Sequence, residues 1–366
     1  CHAAAHPDRY LMMTAEEPKA ASAQPDMPIT AAVRSQVIAE AAKKIREHYV
    51  FADVAEKVAA SILAADKAGQ YQHLNQAQAF AEALTKIIQT LGNDKHFNLR
   101  FSADVLEDDI PLAQRDKQKP SKVEIAKALE MDIFNNFGVE KFERLPTNIA
   151  LLQLNYFADP QIGGDVITAA MTVASSANAL IIDLRKNGGG YAAMVALISS
   201  YLFDTEPVHL NDLYFRFNNQ TQQFWTHPYV PGKRFGPDKP IYVLTSNFTF
   251  SAAEEFSNNL QTLKRATIIG ETTGGGANPG DVFKVGEHFN MFISTGKAIN
   301  PITKDNWEGK GVLPDIAVPA EQALLTAQIL AMQPIIEKMP EAWRRTNANR
   351  ILAQLQRELD SMKAAQ

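Results

Sequence analysis

Cysteine is almost missing from this chain of 366 residues, which has one, Cys1. A single cysteine excludes an internal disulfide framework. Long hydrophobic runs are missing as well, since no apolar stretch reaches the ~18 residues that a membrane-spanning helix needs. Basic charge is not in excess, because 36 Lys and Arg residues stand against 41 Asp and Glu residues. Without a basic stripe or basic residues interleaved with aromatics, the sequence predicts no nucleic-acid partner.

Metal-site spacings are also missing. None of the eight histidines stands at a metal-site distance from another histidine, a cysteine or a carboxylate. The sequence therefore predicts neither a metal nor another cofactor. It gives no indication of the oligomeric state.

Residues 1–28 are rich in Ala, Pro, Ser and Glu and have no hydrophobic periodicity, which predicts a disordered tether. A cysteine at the start of such a segment resembles the mature end of a bacterial lipoprotein, where acyl chains hold a domain at a membrane. We therefore expect a cleaved signal peptide, a lipidated Cys1 and a place in the cell envelope, as a periplasmic or outer-membrane lipoprotein. A secreted protein is the alternative.

The rest of the chain divides by its hydrophobic pattern. Residues 29–102 predict a small helical domain, residues 103–147 a charged connecting segment, and residues 321–366 two helices broken at Pro334 and Pro340. Between them, residues 148–320 alternate strand and helix, which predicts an α/β core with a largely parallel sheet. The predicted core strands are 149–157, 180–184, 241–244 and 267–269, the helices are 162–174, 192–203 and 251–264, and residues 205–239 form a hairpin and loop.

A serine occupies the turn between one of these strands and the next helix. The stretch from Pro240 to Phe256 predicts a buried strand, a loop and a first helical turn, with Ser251 at the turn. Unpaired N–H groups and the positive end of the helix dipole would stabilise an anion there. The same residues fit an S-x-x-E capping box, in which Ser251 only caps the helix and contributes ~1 kcal/mol. The stretch alone leaves a nucleophile and a cap as alternatives.

Three further stretches carry glycine and acidic motifs. One strand runs into Gly188 to Gly190, a second into T-T-G-G-G at residues 272–276, and E-G-K-G-V-L-P-D begins at Glu308. Together with the Ser251 stretch, they resemble the tail-specific (C-terminal processing) serine peptidase family over roughly residues 148–318. The resemblance implies an α/β fold with a ClpP/crotonase-like core. It also implies a serine-type endopeptidase that hydrolyses a peptide or protein substrate through an acyl-enzyme.

The processing branch of this family takes a lysine base from the glycine block, where this chain has Gly276, and carries a PDZ domain for which this chain has no matching loop. Instead, D-x-H at His96 resembles the tricorn and interphotoreceptor retinoid-binding protein branch. That resemblance implies Ser251 as nucleophile, His96 as base and Glu308 as the acid that orients it. Lys95 stands where the tricorn pattern has a hydroxyl residue.

The resemblance further implies that backbone N–H groups of Gly189 and Ala252 form the oxyanion hole. Glu271 is the rival of Glu308 for the acidic role. A second function also follows, because the retinoid-binding relatives carry hydrophobic ligands on the same fold. A retinoid-like or fatty-acid-like ligand would contact an apolar pocket lined by Phe248, Phe250 and Trp225.

Overall fold

The computed structural model describes residues 25–109 and 122–364. Cys1 and most of the predicted tether lie outside these residues. The last residues of that segment are described: the Ala77 N–H donates to the Met27 carbonyl at 2.9 Å, and the Gln78 N–H to the Asp26 carboxylate at 3.0 Å. The chain is therefore fixed to the fold from about Asp26, slightly earlier than predicted.

The described residues form helices and strands with the following bounds. The helices are α1 (Ala31–His48), α2 (Ala52–Lys67), α3 (Ala77–Gly92), α4 (Lys122–Phe134), α5 (Pro160–Ala174), α6 (Ala192–Ser200), α7 (Ala252–Thr262), α8 (Ala320–Glu337) and α9 (Ala342–Ala364). The strands are β1 (Asn98–Phe101), β2 (Val139–Leu145), β3 (Ile149–Leu154), β4 (Ala179–Asp183), β5 (His209–Phe215), β6 (Gln220–Trp225), β7 (Ile241–Thr245), β8 (Thr267–Gly270), β9 (Gly280–Gly286), β10 (Phe289–Ser294), β11 (Gly296–Ile299) and β12 (Ile316–Ala317).

A six-stranded sheet forms the centre of the molecule, in the order β12-β8-β7-β4-β3-β2. All neighbours are parallel except β2 and β3. Every residue of β4 is buried, as expected for a strand covered on both faces. Helices α5, α6 and α7 pack on one face and α8 and α9 on the other. The predicted mixed α/β core with a mostly parallel sheet is confirmed.

Two sequence-based expectations differ from the structure. The segment 103–147, read as weakly patterned, contains α4 and β2, and β2 extends the central sheet at its edge. The predicted break at Pro334 is wrong, because α8 continues through this proline to Glu337. The following turn contains Pro340, where the second predicted break does fall.

A second, smaller sheet has the antiparallel order β1-β10-β9 and packs against α1, α2 and α3. The apolar residues Val37, Ala41 and Ile45 of α1 share one buried core with Phe283 and Phe289 of the two later strands. The N-terminal helices therefore have no core of their own. They pack on strands that come more than 180 residues later in the chain, since α3 ends at Gly92 and β9 begins at Gly280.

A third sheet, β11-β5-β6, includes the predicted hairpin. β11 follows β10 directly and connects the second and third sheets along the chain. No helix within the described ranges combines the length and the apolar character needed to cross a membrane.

Candidate active site

Ser251 stands immediately before α7 in a backbone conformation that residues other than glycine seldom adopt, with φ 55° and ψ −121°. Such a conformation costs on the order of 1–3 kcal/mol and is found where the surrounding structure holds it in place. Here the carbonyl of Ser251 accepts the N–H groups of Glu254 and Glu255, both at 2.9 Å. The serine is thus fixed at the positive end of a helix dipole.

A cleft with a volume of about 470 Å³ opens at this serine. Its walls come from the turn before β1 and β1 itself, the glycine loop after β4 with the start of α6, strand β5, and the segments around α7, β10 and β11. The lining residues used below are Lys95, His96, Arg100, Gly188, Gly190, Ala192, Leu213, Phe248, Phe250, Ser251, Ala252, Glu255, Ala277, Phe292, Ala298 and Trp307. Ser251 and His96 therefore line one cleft, as predicted.

The carboxylate of Glu254 connects the serine turn to the glycine loop after β8. It accepts the N–H groups of Ser251 at 2.9 Å, Gly275 at 2.6 Å and Gly276 at 2.7 Å, and the hydroxyl of Thr273. Burial raises the pKa of Glu254 to about 7, although these hydrogen bonds oppose the shift. The capping residue predicted from S-x-x-E thus holds two loops together beside the cleft.

His96 reaches the cleft from a short turn between α3 and β1. α3 ends at Asn93, which adopts the left-handed conformation that asparagine tolerates. The Gln89 side chain then donates to the carbonyls of Lys95 and Phe97 at 3.0 and 2.8 Å and fixes the turn. The His96 side chain is 4 % exposed. Its burial lowers the pKa of His96, so that the ring is neutral at neutral pH.

Two carboxyl groups lie beside this imidazole. Asp94 Oδ1 is 3.8 Å from His96 Nδ1 and also accepts the His96 backbone N–H at 2.9 Å. Glu308 Oε2 accepts the N–H groups of Ala277 at 2.7 Å and Asn278 at 3.1 Å, whereas its Oε1 is buried without a hydrogen-bond partner. Burial, followed by the charge of Asp94, raises the pKa of Glu308 to about 8.

Sequence reasoning missed Asp94, although the D-x-H pattern contains it. This carboxylate is fully buried, and the Asn278 amide approaches it at 3.4 Å. The tricorn pattern has a hydroxyl residue at position 95. In this chain the polar group beside the histidine is the Asp94 carboxylate. Lys95 instead turns away, and its Nζ donates to the Gly274 carbonyl at 2.6 Å.

The rival acid Glu271 is engaged elsewhere. Its carboxylate accepts the Asn247 N–H at 3.0 Å and the Ala320 N–H at 3.3 Å, and so joins a loop to the start of α8. The structure brings Glu308, and not Glu271, to His96.

Gly276, at the position of the lysine base in the processing branch, touches the histidine. A Cβ atom added here would lie 2.7 Å from His96 Cε1 and 2.1 Å from Phe250 Cζ. The imidazole therefore fills the space that a side chain at residue 276 would occupy. The ring also packs against Phe250 and Phe292, with centroid distances of 4.7 and 5.7 Å.

The choice of Gly189 as an oxyanion donor does not fit this geometry. Its N–H already donates to Asn187 Oδ1 at 2.9 Å. A Cβ at Gly189 would meet Ser251 Cβ at 2.7 Å, so the glycine is required for close packing on the serine. Its neighbours Gly188 and Gly190 line the cleft with Ala252.

The predicted apolar wall is present in part. Phe248 and Phe250 line the cleft, and Phe248 is 42 % exposed. Trp225 was wrongly placed there: it stacks on His209 in the hairpin, with ring centroids 4.2 Å apart.

Metal ligation is a second possible use of the acidic group around the histidine. One donor atom each from Asp94, His96 and Glu308 come within 4.8 Å of one another, and this is the set with metal-like spacing in the described part of the chain. The prediction of no metal site did not anticipate this grouping, because Glu308 is far from Asp94 and His96 in sequence.

Comparison with known proteins agrees with the fold. Residues 148–318 match the model of peptidase family S41, and residues 28–143 match the N-terminal domain of Peptidase_S41 in eukaryotic IRBP. The two matches almost adjoin and leave no room for a PDZ domain between them. A tail-specific protease of Haemophilus influenzae is 33 % identical over 100 residues, which are 27 % of this chain and 13 % of that protein.

Solved structures are similar at low sequence identity. Mature CPAF complexed with lactacystin superposes with a TM-score of 0.55 at 12 % identity, over 90 % of this chain and 99 % of that one. A lipoprotein from Streptococcus agalactiae gives a TM-score of 0.51 at 13 % identity, over 83 % and 97 % of the two chains. At such identities the superpositions show the fold alone.

The two family matches together cover most of the chain. The chain belongs to peptidase family S41, which places it among the serine-type peptidases.

Proposed function

We propose that this chain hydrolyses peptide bonds through an acyl-enzyme formed on Ser251. The observation that carries the proposal is the meeting of Ser251 and His96 in one cleft, from segments more than 150 residues apart. Serine is a weak nucleophile at neutral pH and needs a base. A buried imidazole with a lowered pKa is neutral and can accept the serine proton.

In the first half of the reaction, Ser251 Oγ bonds to the substrate carbonyl carbon while its proton passes to His96. Because Nδ1 lies on the carboxyl side of the ring, Nε2 is the nitrogen that we assign to the serine proton. The oxyanion is stabilised by the N–H of Ala252 with that of Gly188 or Gly190. When the C–N bond breaks, His96 returns the proton to the leaving amine. In the second half, water donates a proton to His96 and its oxygen attacks the ester. His96 then returns this proton to Ser251 Oγ as the bond between Oγ and the acyl carbon breaks, which releases the acid and restores both side chains.

The acidic group supports the histidine in this scheme. Asp94 approaches Nδ1, Glu308 lies within 4.8 Å of the same group, and a carboxylate there fixes the imidazole and stabilises its cation. We assign the orienting role to Glu308, as the family resemblance implies, and give Asp94 a positioning role through its bond to the His96 backbone N–H.

A fluorophosphonate probe tests the proposal directly. The wild-type chain should be labelled at Ser251 and should cleave an unfolded protein such as casein, and Ser251→Ala should lose both properties. Ser61→Ala changes an exposed hydroxyl on α2 and serves as the matched control. An unlabelled but active Ser251→Ala variant would sink the proposal. Activity that survives excess chelator excludes a required metal at the acidic group.

A hydrophobic-ligand carrier is the second candidate, because Phe248 and Phe250 expose an apolar wall to the cleft. A carrier would bind a fluorescent fatty acid in that cleft and would leave both the probe and casein unreacted.

The lipidation of Cys1 and the envelope location remain predictions about residues outside the described part of the chain. Metabolic labelling with a radioactive fatty acid, compared between the wild type and Cys1→Ala, tests them.

A further inference from the structure

A second acidic side chain, Glu255, lines the cleft one helical turn after Ser251. It is 5 % exposed, and its Oε1 has no hydrogen-bond partner. Among the ion pairs of residues 25–109 and 122–364, none involves this carboxylate. The serine mechanism described above does not use it.

Two amides accompany Glu255. Asn211 of β5 and Asn259 of α7 are both fully buried beside the Glu255 carboxylate, and no hydrogen bond of ordinary geometry reaches either amide. Burial raises the pKa of Glu255 to about 7, and these amides only partly oppose the shift. Buried polar groups are nearly always paired, since each unpaired one costs about 1–3 kcal/mol. Glu255 Oε1 is such a group on the wall of the cleft, which indicates that a ligand completes it.

The walls next to this polar group are apolar. Leu213, Ala298 and Trp307 belong to one buried hydrophobic cluster, Ala192 packs against it, and all four line the cleft. The pocket therefore has hydrophobic sides and an acidic end, which suits a side chain with a long aliphatic stem and a cationic head.

The cationic residues of the cleft are Lys95 and Arg100, which belong to the His96 turn and to β1. Lys95 donates to the Gly274 carbonyl, and Arg100 has contacts of its own. They line the part of the cleft that the His96 segment forms, and neither makes an ion pair with Glu255. No cation of the described chain pairs with this carboxylate, so it is available to a cationic ligand.

We propose that Glu255 determines the specificity of the peptidase by binding the lysine or arginine side chain of the residue whose carbonyl Ser251 attacks. The inference rests on the proposed peptidase function. The aliphatic stem would lie along Leu213 and Trp307, and the charged head would donate to Glu255. The buried amides of Asn211 and Asn259, which lower the pKa of Glu255, would hold its carboxylate in place for this contact.

Four fluorogenic peptides that differ only at this residue test the proposal: Lys, Arg, Gln and Leu. We expect the wild type to favour Lys and Arg over Leu in kcat/KM by at least about tenfold. Glu255→Gln, which keeps the shape and removes the charge, should lower kcat/KM for Lys and Arg about 100-fold and leave Leu and Gln nearly unchanged. Glu206→Gln, on an exposed loop, is the matched control.

A wild type that prefers the Leu peptide would overturn the assignment. An equal loss of kcat/KM for all four peptides in Glu255→Gln would also overturn it, because it would indicate a structural role for Glu255. Should this variant fail to fold, the wild type alone decides. Benzamidine should slow its labelling by a fluorophosphonate, and the neutral isostere benzamide should not. Equal effects of the two compounds contradict the proposal. Absence of labelling and of hydrolysis for every peptide is a different result, since it removes the peptidase function itself.

Discussion

The central sheet and the small sheet β1-β10-β9 bring different parts to the same cleft. The central sheet carries Ser251 at the end of β7 and the glycine loop at the end of β4, on neighbouring parallel strands. The small sheet carries His96, and its strands pair residues as distant as Asn98 and Phe292. The nucleophile therefore sits on a local strand-turn-helix unit, whereas the base depends on pairing between distant parts of the chain.

Among the variants below, removal of the base carried by the small sheet should give the largest loss of catalytic efficiency. His96→Ala is expected to lower kcat/KM by about 10³–10⁴-fold, because no other group takes the serine proton. The wild-type rate should rise with pH through a pKa below 6.5, since burial lowers the pKa of His96. Steady-state kinetics from pH 4 to 9 measures both effects.

The matched control is His288→Ala, at the turn before β10, whose Nδ1 lies 3.1 Å from the Ser102 carbonyl. It should retain activity. A similar loss in both variants would mean that the small sheet, and not the imidazole, is what matters.

The packing of His96 against Phe250 can be disturbed by adding a side chain at Gly276. Gly276→Ala should push Phe250 and His96 aside, because the new Cβ would lie 2.1 and 2.7 Å from atoms of these rings. Displacement of the base should lower kcat/KM on the order of 100-fold. The overpacking should also lower the free energy of unfolding by about 1–3 kcal/mol. Gly164→Ala in α5 is the control, because its Cβ meets only Leu197 at 3.7 Å. Unchanged kinetics in Gly276→Ala would contradict the packing described for the base.

The acidic residue Glu308, which lies beside His96, gives a further test through the pH dependence of activity and of stability. At pH 9, above the raised pKa of Glu308, Glu308→Gln should lower kcat/KM by about tenfold or more, because the imidazolium then loses a stabilising charge. The pKa of Glu308 is about 8 in the folded chain against an ordinary 4.5. Between these values the folded state binds more protons than the unfolded state. The stability that Glu308 contributes is thus fully present below about pH 4.5 and is lost as the pH rises toward 8.

Glutamine cannot ionise, so Glu308→Gln should lose less free energy of unfolding between pH 5 and pH 8 than the wild type does. Urea denaturation at the two pH values measures the difference. Glu254 and Glu255 also have raised pKa values and leave a residual slope in both proteins. Identical pH dependence in the two proteins would show that Glu308 is ionised throughout this range.

The smallest effect is expected at Glu271, on the central sheet. Glu271→Gln should change kcat/KM by no more than about twofold and lower the free energy of unfolding by at most about 1 kcal/mol. It weakens only the two hydrogen bonds that the side chain accepts from the Asn247 and Ala320 N–H groups. A loss that equals that of Glu308→Gln would restore Glu271 as the acid.

The elements of the central sheet were predicted well because their signals are local. β4 and β7 are continuous apolar runs, and α7 begins where a serine and a glutamate mark a helix start. The β2 strand was missed because its buried residues alternate irregularly beside charged ones. Its pairing with β3, which no local pattern encodes, decides that it is a strand.

The sequence by itself determined the helix that presents Ser251, the exclusion of a lysine at residue 276, and the candidate role of His96. Only the tertiary structure decided which acid lies beside the histidine. Asp94, Glu308 and Glu271 are all acidic residues in separate loops, and the sequence does not show which of them are close to His96. The tertiary structure also decided that the Gly189 N–H is already used and that Glu255 is left unpaired beside the cleft. The physical reason is that hydrogen-bond partners and burial depend on contacts between distant segments, whereas helix starts and buried strands depend on neighbouring residues.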